Sequence, residues 1–295
     1  MSLSADGNVQ SAKTAVVTGV STGIGRAISK QLIAAGWHVF GSVRKQSDAD
    51  AAREALGEHF TPLIFDVTQN EAVLAAAEQV QTALAGQPLN GLVNNAGVST
   101  AAPMRYVSIE EIQALFDVNV YGMVRTIQAF LPLLEGDVNL AAAPGKIINM
   151  SSVSGRISVP FMGPYSMSKY AVEALSDALR GELLPHGIDV VIIEPGPVKT
   201  PIFEKTENLD FSPYAETEYH TALQRVQKAT QSMGARGLEP DTIGTLVLDI
   251  LTTAKPKTRY PILKNKFTRW TLPKLIPTRR LDRLMAKRMG LKPRP

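Results

Sequence analysis

The sequence predicts an α/β fold, a doubly wound parallel sheet in a single domain with a C-terminal extension, and two observations carry that expectation. Short apolar, β-branched runs alternate with helix-spaced segments from Lys13 onward, and those runs are apolar almost throughout, as strands covered on both faces must be. The residues least typical of a core collect just after the runs, at the carboxyl ends of strands, where open parallel sheets bind ligands.

In chain order, a strand over 14–18 leads through a glycine-rich turn into a helix over 25–35. A second strand, His38–Val43, is followed by a third over 63–66 and a helix over 71–85. The fourth, Gly91–Asn94, ends in Asn94-Asn95-Ala96-Gly97 and precedes one long helical segment over 109–134. The fifth, over 146–151, ends in Ser151-Ser152 ahead of a helix over 165–184. The sixth, over 189–194, runs into Pro195-Gly196-Pro197; a helix over 241–251 and a weaker strand over 259–263 follow. Residues 200–237, polar with scattered Phe203, Phe211 and Tyr214, read as an excursion beyond the sheet that could close as a lid. The first twelve residues, small and polar, read as a disordered leader; 13–263 form the main domain and 264–295 a basic extension.

Composition narrows the chemistry. With 295 residues, 44% apolar and 20% charged, the chain can bury a large core. It has no cysteine, which excludes disulfides, a thiolate nucleophile and cysteine-ligated zinc. His38, His59, His186 and His220 lack metal-ligand spacing, so no metal is expected. No secretory h-region and no run of about 18 apolar residues is present, and cytoplasmic residence is the expectation. The net charge of +4 conceals a split: from Lys255 to Pro295 there are fourteen Lys and Arg against one acid, Asp282.

Two motifs suggest a site. Thr18-Gly19-Val20-Ser21-Thr22-Gly23-Ile24-Gly25 follows a strand and opens a helix, so its glycines would let backbone approach a pyrophosphate at a helix N-terminus. Its Gly-x-x-x-Gly-x-Gly spacing differs from the Gly-x-Gly-x-x-Gly fingerprint. Tyr165 and Lys169, four residues apart, share one helix face. A nearby ammonium favours a phenolate, and lowering a tyrosine pKa by about three units takes roughly 4 kcal/mol. A serine-hydrolase reading fails, because no Gly-x-Ser-x-Gly elbow surrounds Ser151 or Ser152 and no histidine stands out as base.

These motifs, with Asn119 on the helical segment over 109–134 and Pro195-Gly196 after the sixth strand, resemble the short-chain dehydrogenase/reductase family over about 13–200, and its steroid- and retinol-dehydrogenase-like members in having a C-terminal extension. The resemblance implies a Rossmann fold and catalytic residues Asn119, Ser152, Tyr165 and Lys169. Tyr165 would exchange a proton with the carbonyl or alcohol oxygen and Ser152 would hydrogen-bond that oxygen, leaving Ser151 structural. Lys169 would lower the phenol's pKa and hold the nicotinamide ribose, while Asn119 would hold a water leading to solvent. Thr18, Gly19, Ser21, Thr22, Gly23, Ile24, Gly25, Asn95, Ala96, Gly97, Pro195, Gly196, Val198 and Thr200 would line the cofactor. Asp66-Val67 would contact adenine, although Asp66 serves equally well as a turn or capping aspartate. Ser154, Phe161 and Met162 are placed to meet substrate, together with Ser152 and Tyr165.

The second strand ends Val43-Arg44-Lys45, with Val43 where NAD-using members usually carry Asp, so NADP(H) is expected over NAD(H), with Arg44 near the 2′-phosphate. The expected reaction joins a ketone or aldehyde to its alcohol in a largely apolar, steroid-, retinoid- or lipid-like substrate; the competing class is a non-catalytic dinucleotide-binding redox sensor. A homodimer or homotetramer is implied by the family. In the tail, Leu281, Leu284, Met285 and Met289 fall on one helical stripe ringed by cations. That stripe would pack on a subunit or lie on a membrane surface; no nucleic-acid recognition module accompanies it.

Overall fold

The computed structural model describes residues 13–135, 143–201 and 209–291, so the proposed leader over 1–12 lies outside the described residues. Seven strands form one parallel sheet in the order β3-β2-β1-β4-β5-β6-β7: β1 Thr14–Val17, β2 His38–Val43, β3 Phe60–Ile64, β4 Gly91–Asn94, β5 Lys146–Met150, β6 Asp189–Pro195 and β7 Arg259–Ile262. Strand order reverses between β1 and β4, which makes their carboxyl ends the switch point of the sheet. Prolines occupy both outermost strands, Pro62 in β3 and Pro261 in β7, where a missing N–H need not break an inner ladder.

Alternation of side chains along the strands divides the core into two layers. Val16, Leu92, Ile147 and Val190, in register across four strands, pack with α3 (Asn70–Leu84), α5 (Gly122–Leu134) and α6 (Gly163–Glu182) through Val80, Phe130 and Val172. Their neighbours Val17, Val93, Ile148 and Val191 face α1 (Gly23–Ala34) and α8 (Pro240–Thr252) through Ile28, Leu32 and Val247. Each such aliphatic side chain contributes about 1.5–3 kcal/mol when fully buried.

Three departures from the sequence expectations matter. Residues 46–56 form a helix, α2 (Gln46–Leu56), that had no place in the sequence reading; it buries only Ala49 and Ala52, too weak a stripe to stand out. The single helix expected over 109–134 is α4 (Ile109–Phe116) and α5 joined by a π turn, Asp117–Tyr121. The excursion contains α7 (His220–Ala235), whose buried Leu223, Val226, Thr230 and Gly234 keep helical spacing. Its remaining expectations at Phe203 and over 202–208 lie outside the described residues.

The excursion leaves and returns at one point: the Leu238 amide donates to the Pro197 carbonyl at 2.8 Å, and Lys199 donates back to Leu238 at 2.9 Å. Phe161, Tyr214, Leu223 and Val226 form a satellite core beneath it. After β7 come a π turn, Phe267–Thr271, a short α9 (Leu272–Leu275) and α10 (Thr278–Met289). Met289 and Leu291 pack onto the satellite core, so this part of the extension rests on the excursion. No helix among the described residues is long and apolar enough to cross a membrane.

Candidate active site

The glycine turn is built for close approach of backbone. Gly19 and Gly23 have φ of +72° and +60°, which L side chains rarely adopt. A Cβ on Gly25 would collide with the Gly19 carbonyl oxygen and lie 2.6 Å from the Asn95 amide nitrogen. Thr18 stitches the switch point: its hydroxyl accepts from the Asn95 and Ala96 amides, both at 2.9 Å, while Asn95 Nδ2 donates to the Thr18 and Gly19 carbonyls. Ser42, not singled out from the sequence, accepts from the Gly19 amide at 2.9 Å through its hydroxyl. The third wall is the loop after β6, since a Cβ on Gly23 would stand 3.1 Å from the Thr200 methyl group. Pro195 ends β6, and Gly196 and Val198 belong to that loop, Val198 being anchored by a bridge to Leu238. The N-terminus of α1 opens beside Ser21, Thr22 and Ile24, leaving its first amides available to an anion.

Arg44 is exposed at the end of β2, next to buried Val43. Asp66 Oδ1 accepts from the Thr68 amide at 2.9 Å and hydroxyl at 2.8 Å, so this oxygen closes a turn. Val67 is buried against Gly122 of α5, where a Cβ would come within 2.6 Å of its methyl group. Glycines at 19, 23, 25 and 97, where a Cβ would collide or be strained, keep the backbone at the switch point bare beside the N-terminus of α1, and the residues present fit a dinucleotide cofactor.

The second half of the site lies at the ends of β5 and α6. Ser152 Oγ accepts from the Ser154 amide at 3.1 Å and is hydrogen-bonded to the Tyr165 hydroxyl. Burial around that hydroxyl raises the Tyr165 pKa above the usual phenol value, and the bond from Ser152 opposes the rise. Lys169 Nζ donates to the Met150 carbonyl at 2.9 Å and sits 5.9 Å from the Tyr165 ring centroid. Burial pushes the Lys169 pKa down to about 8, with the Glu173 charge opposing. Gly97 keeps the space above this ammonium clear: a Cβ there would be 3.7 Å from Nζ and 3.2 Å from Asn119 Oδ1.

Asn119 sits in the π turn with 0% exposure, and its amide is fully engaged. Oδ1 accepts from the Val98 amide at 2.8 Å; Nδ2 donates to the Val98 carbonyl at 2.9 Å and to Ser168 Oγ at 3.0 Å. Ser168 donates in turn to the Tyr165 carbonyl at 2.8 Å, so one hydroxyl ties the π turn to the first turn of α6. π turns concentrate at functional sites because the extra residue re-aims a side chain. Behind them, a buried chain runs from Thr126 to Asn94 (2.6 Å), Asn149 (2.9 Å) and Ser176 (2.9 Å), locking α5, β4, β5 and α6. Ser168, Thr126, Asn149 and Ser176 were missed from the sequence, where a lone Ser or Asn carries no sign of its partner.

Ser151 and Ser152 point apart. Ser151 Oγ is buried without a hydrogen-bond partner beside Gly155, whereas Ser152 faces Tyr165. Phe161 has a φ of +68°, rare for an aromatic residue, and its carbonyl accepts from the Ala102 amide at 2.8 Å. Its ring is buried in the satellite core, with the Tyr219 centroid at 5.6 Å, and Met162 packs beside it. Ser154, on the turn after Ser152, is half-buried.

A short chain dehydrogenase family model matches residues 13–209. The chain is 41% identical over 273 residues, covering 92% of it and 96% of the relative, to an NADPH-dependent 3-dehydrocapnine reductase of Ornithobacterium rhinotracheale. It is 33% identical over 266 residues to human retinol dehydrogenase 16, covering 84% of this chain and 80% of that one. A crystal structure of a short-chain dehydrogenase from Streptomyces avermitilis superposes with a TM-score of 0.74 at 26% identity, covering 96% and 98% of the two chains. Fold and relatives together define an oxidoreductase with a Rossmann-type sheet. The chain belongs to the short-chain dehydrogenase/reductase family.

Proposed function

We propose that this protein is an NADP(H)-dependent reductase of a carbonyl in a largely apolar, lipid-like substrate. The observation that carries the reading is the pair of hydrogen-bonded hydroxyls, Ser152 and Tyr165, beside the buried Lys169 ammonium, which lies under Gly97. A nicotinamide dinucleotide held by the Thr18–Gly25 turn, the Asn95–Gly97 segment and the Pro195–Thr200 loop would supply the hydride. Ser152 orients the carbonyl oxygen, and Tyr165, whose pKa burial keeps high, holds the proton that this oxygen takes up. Lys169 stabilises the phenolate that remains and is placed to hold the ribose below Gly97. Asn119 keeps the Val98 backbone and Ser168 in place beside them. A redox sensor would need only the cradle, and the reductase and dehydrogenase names of the relatives favour turnover.

NADP(H) preference is supported by Val43 in place of an acid, by exposed Arg44 and Lys45, and by the 41% identical relative's being an NADPH-dependent reductase. The satellite core under the excursion supports an apolar substrate closed in by a lid. Exposed Ile109, Tyr121, Met167 and Tyr170 support a homodimer or homotetramer, which the mass in solution tests.

For the extension, the stripe is partly covered at Leu281, Met285 and Met289, with Met289 on the satellite core, whereas Leu284 is exposed. The preceding turns are different: Trp270 and Pro273 are buried, while Phe267 (65% exposed), Leu272 and Leu275 (72% exposed) form an outward face among exposed Lys264, Lys266, Arg269 and Lys274. Aromatic and aliphatic groups ringed by cations suit an anionic membrane surface, and peripheral attachment there is part of the reading.

The decisive experiment is NADPH oxidation with a panel of long-chain ketones. Wild type turns over at least one; Tyr165→Phe loses at least about a thousandfold in kcat with KM for NADPH little changed, combining loss of acid catalysis and of carbonyl orientation. Retained activity in that variant removes the mechanism.

A further inference from the structure

Two buried carboxylates lie behind the catalytic helix face, ringed by charges from other elements. Glu173 stands one turn beyond Lys169 on α6 and is 3% exposed; Glu194 on β6 is 0% exposed. Arg259 of β7 reaches both, its Nε lying 3.0 Å from Glu173 Oε2 and 3.7 Å from Glu194 Oε1, while its Nη2 donates to Asp177 at 2.6 Å. Arg156, from the turn after β5, approaches Glu194 at 3.9 Å. Lys274 of the extension is attracted by both carboxylates and lies 3.2 Å from the Trp270 ring centroid. Glu173 Oε1 and both Glu194 oxygens are buried without a hydrogen-bond partner.

Two such acids cannot both ionise at low cost. Of the two, Glu173 takes the short bond from Arg259, at 3.0 Å against 3.7 Å to Glu194, the geometry of a guanidinium–carboxylate ion pair. Burial, followed by the Glu173 charge, pushes the Glu194 pKa up to about 7, so Glu194 keeps its proton below neutrality. The ion-paired member, Glu173, is the one on the Lys169 side, about 5–6 Å away at Cβ by helix geometry. Gly155 closes the helix surface between the two: a Cβ there would lie 3.0 Å from the Lys169 carbonyl and 3.1 Å from Glu173 Cγ.

We propose that Glu173 is a positioning residue of the reaction, the buried counter-charge that keeps Lys169 an ammonium at working pH. The role rests on the Tyr165–Lys169 reading above. Lys169 needs such a partner because burial alone drives it toward the neutral amine, and a neutral amine cannot stabilise the phenolate. Arg259 and Lys274 make the arrangement depend on β7 and the extension.

The test is the pH profile of kcat/KM for carbonyl reduction. Glu173→Gln keeps size and an acceptor for Arg259 but loses the charge, so the alkaline limb moves about one unit lower: roughly a tenfold loss at pH 8.5 and less than about threefold at pH 6. Glu173→Asp moves the limb less, in the same direction, and Glu194→Gln leaves it in place. A Glu173→Gln profile that superimposes on wild type, or falls by one factor at every pH, overturns the proposal, as does an equal shift in Glu194→Gln. Where Glu173→Gln does not fold, an unmoved limb in Glu173→Asp overturns it. Tyr165→Phe assayed alongside separates the two ideas: retained activity sinks the reductase reading, whereas an inactive Tyr165→Phe with an unmoved Glu173→Gln limb sinks only the role of Glu173.

Discussion

An asparagine inside a helical segment is mildly unfavourable, because its side chain competes for backbone bonds, and Asn119 would be placed on the surface by residue type alone. The structure buries it at low cost, since Val98 and Ser168 satisfy the amide. Arg44 is the opposite case, an exposed residue whose meaning depends on what binds beside it. If its guanidinium meets a 2′-phosphate, Arg44→Ala raises KM for NADPH by about 10- to 100-fold and leaves KM for NADH within about twofold, as loss of a charge-assisted contact made by one cofactor requires. Steady-state kinetics with both cofactors check this, and an NAD preference surviving the substitution would sink the NADP assignment.

Among the elements, the glycine turn and α6 give contrasting substitutions. Gly25→Ala places a methyl against the Gly19 carbonyl and the Asn95 amide, so the turn must shift; KM for NADPH rises at least about tenfold and stability falls by about 1–3 kcal/mol. Gly181, inside α6, has nothing within 4 Å of an added Cβ, so Gly181→Ala stabilises by roughly 0.5–1 kcal/mol, and kinetics stay unchanged. Thermal melts of the two variants should move in opposite directions. The π turn between α4 and α5 shows why element type was legible and local geometry was not: apolar spacing over 109–134 marks a helix, but one extra residue in a turn leaves that spacing nearly intact. α2 escaped notice because two buried alanines make too faint a stripe.

At the scale of the molecule, the buried acids predict how stability depends on pH. Burial and the Glu173 charge push the Glu194 pKa up to about 7 in the fold, against 4.5 for a free glutamate, so between those values the folded protein holds a proton that the unfolded chain has released. Stability therefore falls as pH rises from about 4.5 to 7, with a slope approaching about 1.4 kcal/mol per unit, and flattens above 7. Glu194→Gln removes this contribution, so its denaturant midpoint should change less than that of wild type between pH 5 and 7. A parallel pair of curves would show that Glu194 is not protonated in the fold. For the extension, Phe267→Glu with Leu275→Glu alters only exposed positions and should reduce co-sedimentation with phosphatidylserine-containing vesicles by at least about fivefold at unchanged activity on a water-soluble ketone. Equal sedimentation removes membrane attachment.

The sequence by itself determined the strand and helix alternation, the glycine turn, and the order of Asn119, Ser152, Tyr165 and Lys169, because hydrophobic period and backbone conformational demands are written in neighbouring residues. Tertiary structure alone decided what each polar group faces. Ser151 and Ser152 are indistinguishable by type, yet one lies against Gly155 and the other against Tyr165. Glu173 and Glu194 are 21 residues apart in sequence and join Arg259 and Lys274 in one electrostatic cluster only when β6, β7 and the extension pack on α6. Such couplings depend on distance and burial, which a parallel sheet sets by bringing together the ends of strands far apart in the chain.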